Sequence, residues 1–327
     1  MAGTDYDKTA DVVSSINGSG SDLHVQEQFL NLLEKGIDKV WKREFTRPAE
    51  GFSLVRQDSM STKTKRFHSY RGIGSLIEQN RDADEIPYDT RGEGFSYDVT
   101  TDVYRKGIAI EKTMTETDMY GVISNMQMDM AENAKTAVEL IIADVFNRAI
   151  DPAGGAPVLA EDGLYLIDSD RPNAYARAPK WSNEESASAI TASSIYRAQL
   201  NFAGAKDELG QLAPQKLEKI VIRPQDEQVV WELLKSDLRP EDSMNAKNFQ
   251  KGRFDYQVYN YLTSANIFYL AGSAQSPKNE LQFFWRVKPE FKTWVDGSNP
   301  DITRQRVRMA FGMGLGRPQL WRGGVVS

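Results

Sequence analysis

Three glycines, Gly312, Gly314 and Gly316, stand close together in the stretch Met309–Gly324, MAFGMGLGRPQLWRGG. Closely spaced glycines that follow a strand and open a helix cradle phosphate, because backbone N–H groups and the helix N-terminus meet the anion. Here the position of the third glycine of that pattern is Arg317, followed by Pro318. No Gly-Lys-Ser/Thr occurs, and no helix follows before Ser327. Nucleotide chemistry is therefore not expected. Histidine is nearly absent, with only His24 and His68. A Ser-His-Asp triad or an imidazole metal site would have to rest on one of them. His24 opens an amphipathic stretch and His68 lies in a polar, strand-like one, so both read as solvated or packing residues. The chain has no cysteine, which excludes disulfides, thiolate metal sites and cysteine nucleophiles and is compatible with a reducing cytoplasm. Acids are plentiful, as at Asp82, Asp84 and Glu85, but their spacing in sequence says nothing of separation across a cleft. The expectation is no catalytic residue, no cofactor and no metal.

The elements that would position any chemistry are those of an ordinary globular chain. It has 327 residues, 40% hydrophobic and 26% charged, enough for about two domains. No stretch reads as a membrane span. Met1–Gly20 is rich in Ser, Gly and Asp, lacks an apolar signal core and reads as a flexible arm. The net charge of -6 offers no overall basic surface for nucleic acid, although a local patch can hide within such a total.

Periodicity then divides the chain. Ser21 or Asp22 caps an expected helix to about Glu44, with Phe29, Leu33, Ile37, Val40 and Trp41 on one stripe. From 54 to 114, two strand-like limbs flank a charged tip, SLIEQNRDADEIPYDTRGEG, which predicts a long two-stranded arm. Such an arm is marginal alone and should be held by a neighbouring subunit. A long helix is expected over 116–150, with Thr115 and Asp118 as a capping pair and a span of about 50 Å. Residues 152–179 are loop-rich, with DGLYLID as a short strand. Helices at 190–209 and 225–238 alternate with the strands KLEKIVIRP, DYQVYNYL and NIFYLAG, the pattern of an α/β module. LQFFWRV and FKTWV are aromatic strands, and VDGSNPDI is a turn. Thr303–Phe311 alternates, with Arg304, Arg306 and Arg308 on one face and Val307, Met309 and Phe311 on the other. The glycines after it are expected to end this strand.

The order of parts resembles the major capsid protein of tailed bacteriophages, the Hong Kong 97-like shell fold. Local support lies in VIRPQDEQVVWELLKS, NFQKGRFDYQVYNYLTSANIFYLAG and RQRVRMAFGMGLGRPQLWRGG. The resemblance implies an α+β fold in five parts. These are an N-terminal arm with an amphipathic helix at 1–53, an extended β-hairpin loop at 54–114 and a peripheral domain at 115–182 built on the spine helix. An α/β axial domain follows at 183–278, and a sheet returning to the peripheral domain at 279–327.

The resemblance implies a structural subunit that assembles into hexamers and pentamers of an icosahedral virion capsid. It would enclose double-stranded DNA without sequence-specific binding and without a membrane. Assembly would occur in the host bacterial cytoplasm, with a separate scaffolding protein or none, and with a portal and a decoration protein as partners. The short stretch before the first helix is too small for a folded scaffold. Some members cross-link a lysine to an asparagine; Lys63, Lys65 and Asn299 carry no sequence signal for that role. Expected inter-subunit contacts are the tip residues Glu78, Arg81, Asp82, Asp84, Glu85 and Arg91. The turn residues Asp296, Asn299 and Asp301 join them, with the stripe Arg304, Arg306 and Arg308. Two rivals are an encapsulin-like compartment enclosing enzymes and a carboxylate-dependent α/β enzyme.

Overall fold

The computed structural model describes residues 50–70, 92–117, 121–150, 158–173, 179–187, 189–207, 209–238, 246–265, 267–273 and 281–326. The helix expected near 22–44 and the arm's tip lie outside them. The chain divides into two compact units. Of the described residues, one unit comprises Arg105–Glu132 and Glu290–Val307, and the other those within Pro48–Tyr104, Asn133–Pro289 and Arg308–Ser327.

Strand β1 (Arg56–Ser59) pairs in parallel with Gln282–Trp285. It therefore belongs to a sheet and not to the expected arm. The paired limbs are β2 (Thr64–Tyr70) and β3 (Glu93–Thr100), in antiparallel register with Phe67 opposite Tyr97. Their rings stack at 5.4 Å between centroids, and Phe67 lies 5.2 Å from Phe284, over a small cluster with Met60 and Val99. Burial, with the charge of Glu161, pushes the Tyr97 phenol up to about 12. Across the same ladder Arg66 grips Asp98 with two bonds of 2.7 and 2.8 Å. The ladder stops at Thr101, which is fully buried. Its N–H and hydroxyl both donate to the Lys63 carbonyl, at 2.8 and 3.1 Å. Beyond it β4 (Asp102–Glu111) enters a different sheet. The two-stranded arm is thus shorter at its base than the expected 54–114, because both flanking segments find partners elsewhere.

The expected helix over 116–150 is broken. A five-residue helix α1 (Lys112–Glu116) ends at Thr117, whose N–H and hydroxyl both close on the Thr113 carbonyl. Thr115 therefore lies inside a short helix, while Asp118 is outside the described residues. Gly121 then has φ +67°, a conformation that favours glycine and cannot continue a right-handed helix. The long helix α2 (Val122–Asn147) starts only after it and spans about 39 Å. Ala134, Val138, Ile142, Val145 and Phe146 form its buried stripe. Glu139 interrupts that stripe and is equally buried.

DGLYLID is buried at Leu166 and Ile167 but forms no strand. Side chains replace the partner strand that would satisfy its backbone. Asn183 Nδ2 donates to the Leu166 carbonyl at 2.7 Å, and Asn183 Oδ1 accepts from the Asp168 N–H at 2.9 Å. Arg171, fully buried, donates to the Tyr165 carbonyl, to Asn183 Oδ1 at 2.9 Å and to Asp162 at 2.7 Å.

The second sheet has the order β5 (Glu184–Ala187), β11 (Trp321–Val326), β8 (Ile267–Gly272), β6 (Leu217–Ile222), β7 (Asp255–Val258). Helix α3 (Ala192–Ala203) begins at a reciprocal cap between Thr191 and Ser194 and ends where the Gly204 N–H closes on Leu200. That is short of the expected 209. Helix α4 (Glu227–Lys235) follows a single 3-10 turn that starts at Pro224 and ends earlier than the expected 238. Ile195, Ala198 and Phe202 of α3 and Val230, Leu233 and Leu234 of α4 pack with Leu217, Ile220, Ile222, Phe268 and Leu270 of the sheet.

The first sheet has the order β1, β9 (Leu281–Val295), β10 (Ile302–Leu315), β4. Gly312 and Gly314 lie inside β10, not at its end. A Cβ on Gly312 would stand 2.3 Å from the Thr100 carbonyl oxygen, and one on Gly314 2.5 Å from Val99 Cγ2. Those positions are glycine because another segment crosses them closely. The expected return of all of 279–327 to one sheet also fails. After Pro318 the chain leaves it, and β11 inserts between β5 and β8.

Candidate inter-subunit surface

The strands β9 and β10 meet at the turn 296–301, where short polar side chains fix the backbone. Asp296 accepts from the Ser298 N–H at 3.3 Å and its hydroxyl at 3.1 Å, and the Asn299 side chain accepts from the Asp301 N–H at 3.0 Å. The Lys112 N–H donates to the Asp301 carbonyl at 2.8 Å. Arg304 reaches back over the turn and pairs with Asp296 at 2.5 Å. These backbone and hydroxyl donors, with the Arg304 charge, hold the Asp296 carboxyl below the ordinary carboxylate range.

The arginine stripe is therefore not a row of free cations. Arg304 is committed to Asp296, and Arg308 is also engaged. Arg306 lies 5.6 Å from the centre of the Trp294 ring, within cation–π reach, while its Nε has no hydrogen-bond partner. The two-faced alternation holds from Arg304 to Met309 and then stops, since every residue from Met309 to Gly316 is buried. Beside the stripe a groove of about 380 Å³ runs along Arg105–Ala109 and Arg304–Arg306, with Trp294 at its side.

Of the other expected contacts, Glu78, Arg81, Asp82, Asp84, Glu85 and Arg91 lie outside the described residues. Asn299 is tied into its turn, Lys65 sits over the Phe67 ring at 4.9 Å and Lys63 is exposed near the arm's base. His68 is exposed on β2, opposite Ser96. Among the described residues no cluster of three His, Cys, Asp or Glu side chains is arranged to hold a metal ion. The carboxylates of Asp98 and Asp296 are both held in the charged form, the opposite of what a general acid needs. The sequence reading missed the buried Glu139, whose signal was an acid inside the apolar run AVELII, and the buried Arg171, which had no local signal.

The sequence model of a family described as phage capsid protein matches residues 96–327, more than two thirds of the chain. The chain belongs to that phage capsid protein family. No curated protein matches it. Its fold is similar to the capsid structure of cyanophage P-SCSP1u, with TM-score 0.51 and 12% identity over 83% of this chain and 86% of that one. It is also similar to the capsid of an empty GTA particle, with TM-score 0.50 and 9% identity over 86% and 91% of the two chains. A virus-like particle from Pyrococcus furiosus gives TM-score 0.49 and 10% identity over 89% and 98%. The phage capsid protein is thus a structural major capsid protein with the Hong Kong 97-like fold, and its place is the shell of the virion.

Proposed function

We propose that this capsid protein forms the hexamers and pentamers of an icosahedral head that encloses double-stranded DNA, and that it has no enzymatic activity of its own. The match of its sequence to the capsid family over 96–327 carries this reading. Assembly takes place in the host bacterial cytoplasm with a separate scaffolding protein and a portal, and a decoration protein is a further partner. In this reading 1–53 serves as the arm, the stretch around β2 and β3 as the extended loop, and α2 as the spine of the peripheral domain. The five-stranded sheet with α3 and α4 serves as the axial domain.

The charged residues Glu78, Arg81, Asp82, Asp84, Glu85 and Arg91, with Asn299 and Asp301 of the turn, meet neighbouring copies. Asp296, Arg304 and Arg308 are not carried into that contact, since each already has a partner in its own chain.

Negative-stain electron microscopy of the purified protein, with sedimentation on the same sample, tests the proposal. Closed particles or free hexamers and pentamers are expected. A monomer that persists when the scaffolding and portal genes are co-expressed overturns it. Shells filled with an enzyme and free of DNA would assign the chain to a cellular compartment instead.

A further inference from the structure

The groove beside the arginine stripe is a local exception in an acidic protein. Arg105 and Lys106 come from β4, and Arg304 and Arg306 from β10; no acidic side chain lines it. Asp296 neutralises Arg304, which leaves three cations. Gly107 adds no side chain to the wall, and its Cα approaches the Gln305 carbonyl so closely that a Cβ would stand 2.9 Å from that oxygen. Gln305 also lines the groove and is fully buried. Its Oε1 accepts from Gln127 Nε2 at 3.3 Å, while its own Nε2 has no partner among the described residues.

We propose that this groove grips the phosphate backbone of nucleic acid, without reading its bases. The choice of partner follows from hydrogen-bond chemistry. Among the described residues, the groove side chains that are not already committed are donors: two guanidinium groups and an ammonium group. A peptide strand would bring N–H donors of its own and would need acceptors facing it. A phosphodiester backbone brings only acceptors and negative charge. The proposal rests on the shell reading only for the source of the nucleic acid.

The test is fluorescence anisotropy of a labelled random-sequence DNA duplex with the full-length protein, as free subunits or capsomers. Three phosphate contacts give a slope of about -2.7 in log affinity against log salt, a loss of about 40-fold between about 50 and 200 mM salt. Arg306→Gln should lower the slope to about -1.8 and weaken binding to every sequence alike. Arg105→Gln should do the same, and Lys235→Gln, on the exposed side of α4, should change nothing. If Arg306→Gln fails to fold, Lys106→Gln, with an exposed side chain, gives the same reading. No binding at low salt, equal binding by the groove variants, or an equal loss in Lys235→Gln overturns the proposal. So does a poly-glutamate peptide that binds the groove while the duplex does not. Closed shells from a protein that fails this test would leave the capsid reading intact and sink the groove alone.

Discussion

The phenol of Tyr259 donates to Oε2 of Glu139 across 2.9 Å, and the Gly51 N–H donates to that same oxygen across 3.0 Å. One buried carboxylate thus fastens the turn Glu50–Ser53 and the segment after β7 to α2. Burial, and then the Glu139 charge, drives the Tyr259 phenol far above its ordinary range, so it stays a donor at any working pH.

Tyr259→Phe should therefore cost about 1–3 kcal/mol, because a buried carboxylate loses a donor while the ring still fills its place. Glu139→Ala should cost more than Glu139→Gln, which keeps an acceptor of similar shape. Thermal unfolding of the three variants gives the order; equal losses for Ala and Gln would refute the role of the acceptor.

The Arg171–Asp162 pair is buried on both sides, whereas Lys180–Asp170 is an exposed pair. Asp162→Ala leaves a guanidinium without its counter-charge and should cost about 3–5 kcal/mol. Asp170→Ala should cost about 0–1 kcal/mol. Urea midpoints measure both, and a small loss in Asp162→Ala would mean that Asn183 and the Tyr165 carbonyl hold Arg171 without it.

Gly312→Ala should harm the subunit more than Gly314→Ala. The first Cβ meets a backbone carbonyl at 2.3 Å, which cannot step aside, and the second meets a valine methyl at 2.5 Å, which can shift. Overpacking of this kind costs about 1–3 kcal/mol or more. Soluble yield and melting temperature, compared between the two, decide it.

Asp296 gives the acid-side prediction. Its folded pKa lies below the ordinary 3.8, so its contribution is present above 3.8 and is lost as pH falls through the lower folded value. Asp296→Asn should remove that part of the acid dependence and leave the neutral-pH fold in place. Chemical-shift titration of the turn, wild type against variant, reads the difference directly.

Much of this architecture is written in local pattern. The stripe of α2, the presence of α3 and α4 and the alternation from Arg304 to Met309 all depend on near neighbours in the chain, so periodicity finds them. What escaped depends on distant ones. Gly312 looks like a strand end until Thr100 is laid across it. Arg171 looks like a loop arginine until Asn183 and Asp162 close around it. The arginine stripe looks like a free surface because Asp296, eight residues before Arg304, sits across a turn whose geometry alone brings the two together. The basic groove needs β4 beside β10, a pairing between segments nearly two hundred residues apart.

The insertion of β11 has a kinetic meaning. Gly323 stands beside Glu184 and Val325 beside Ile267, so one short strand must find two edges far away in the chain. Closing such loops carries an entropic cost before any contact is gained, and topologies of this kind fold slowly. Until the closure occurs, β5 and β8 each present an open edge, the feature by which unfinished chains adhere to one another. A subunit becomes safe to crowd against its neighbours only once its least local strand is home.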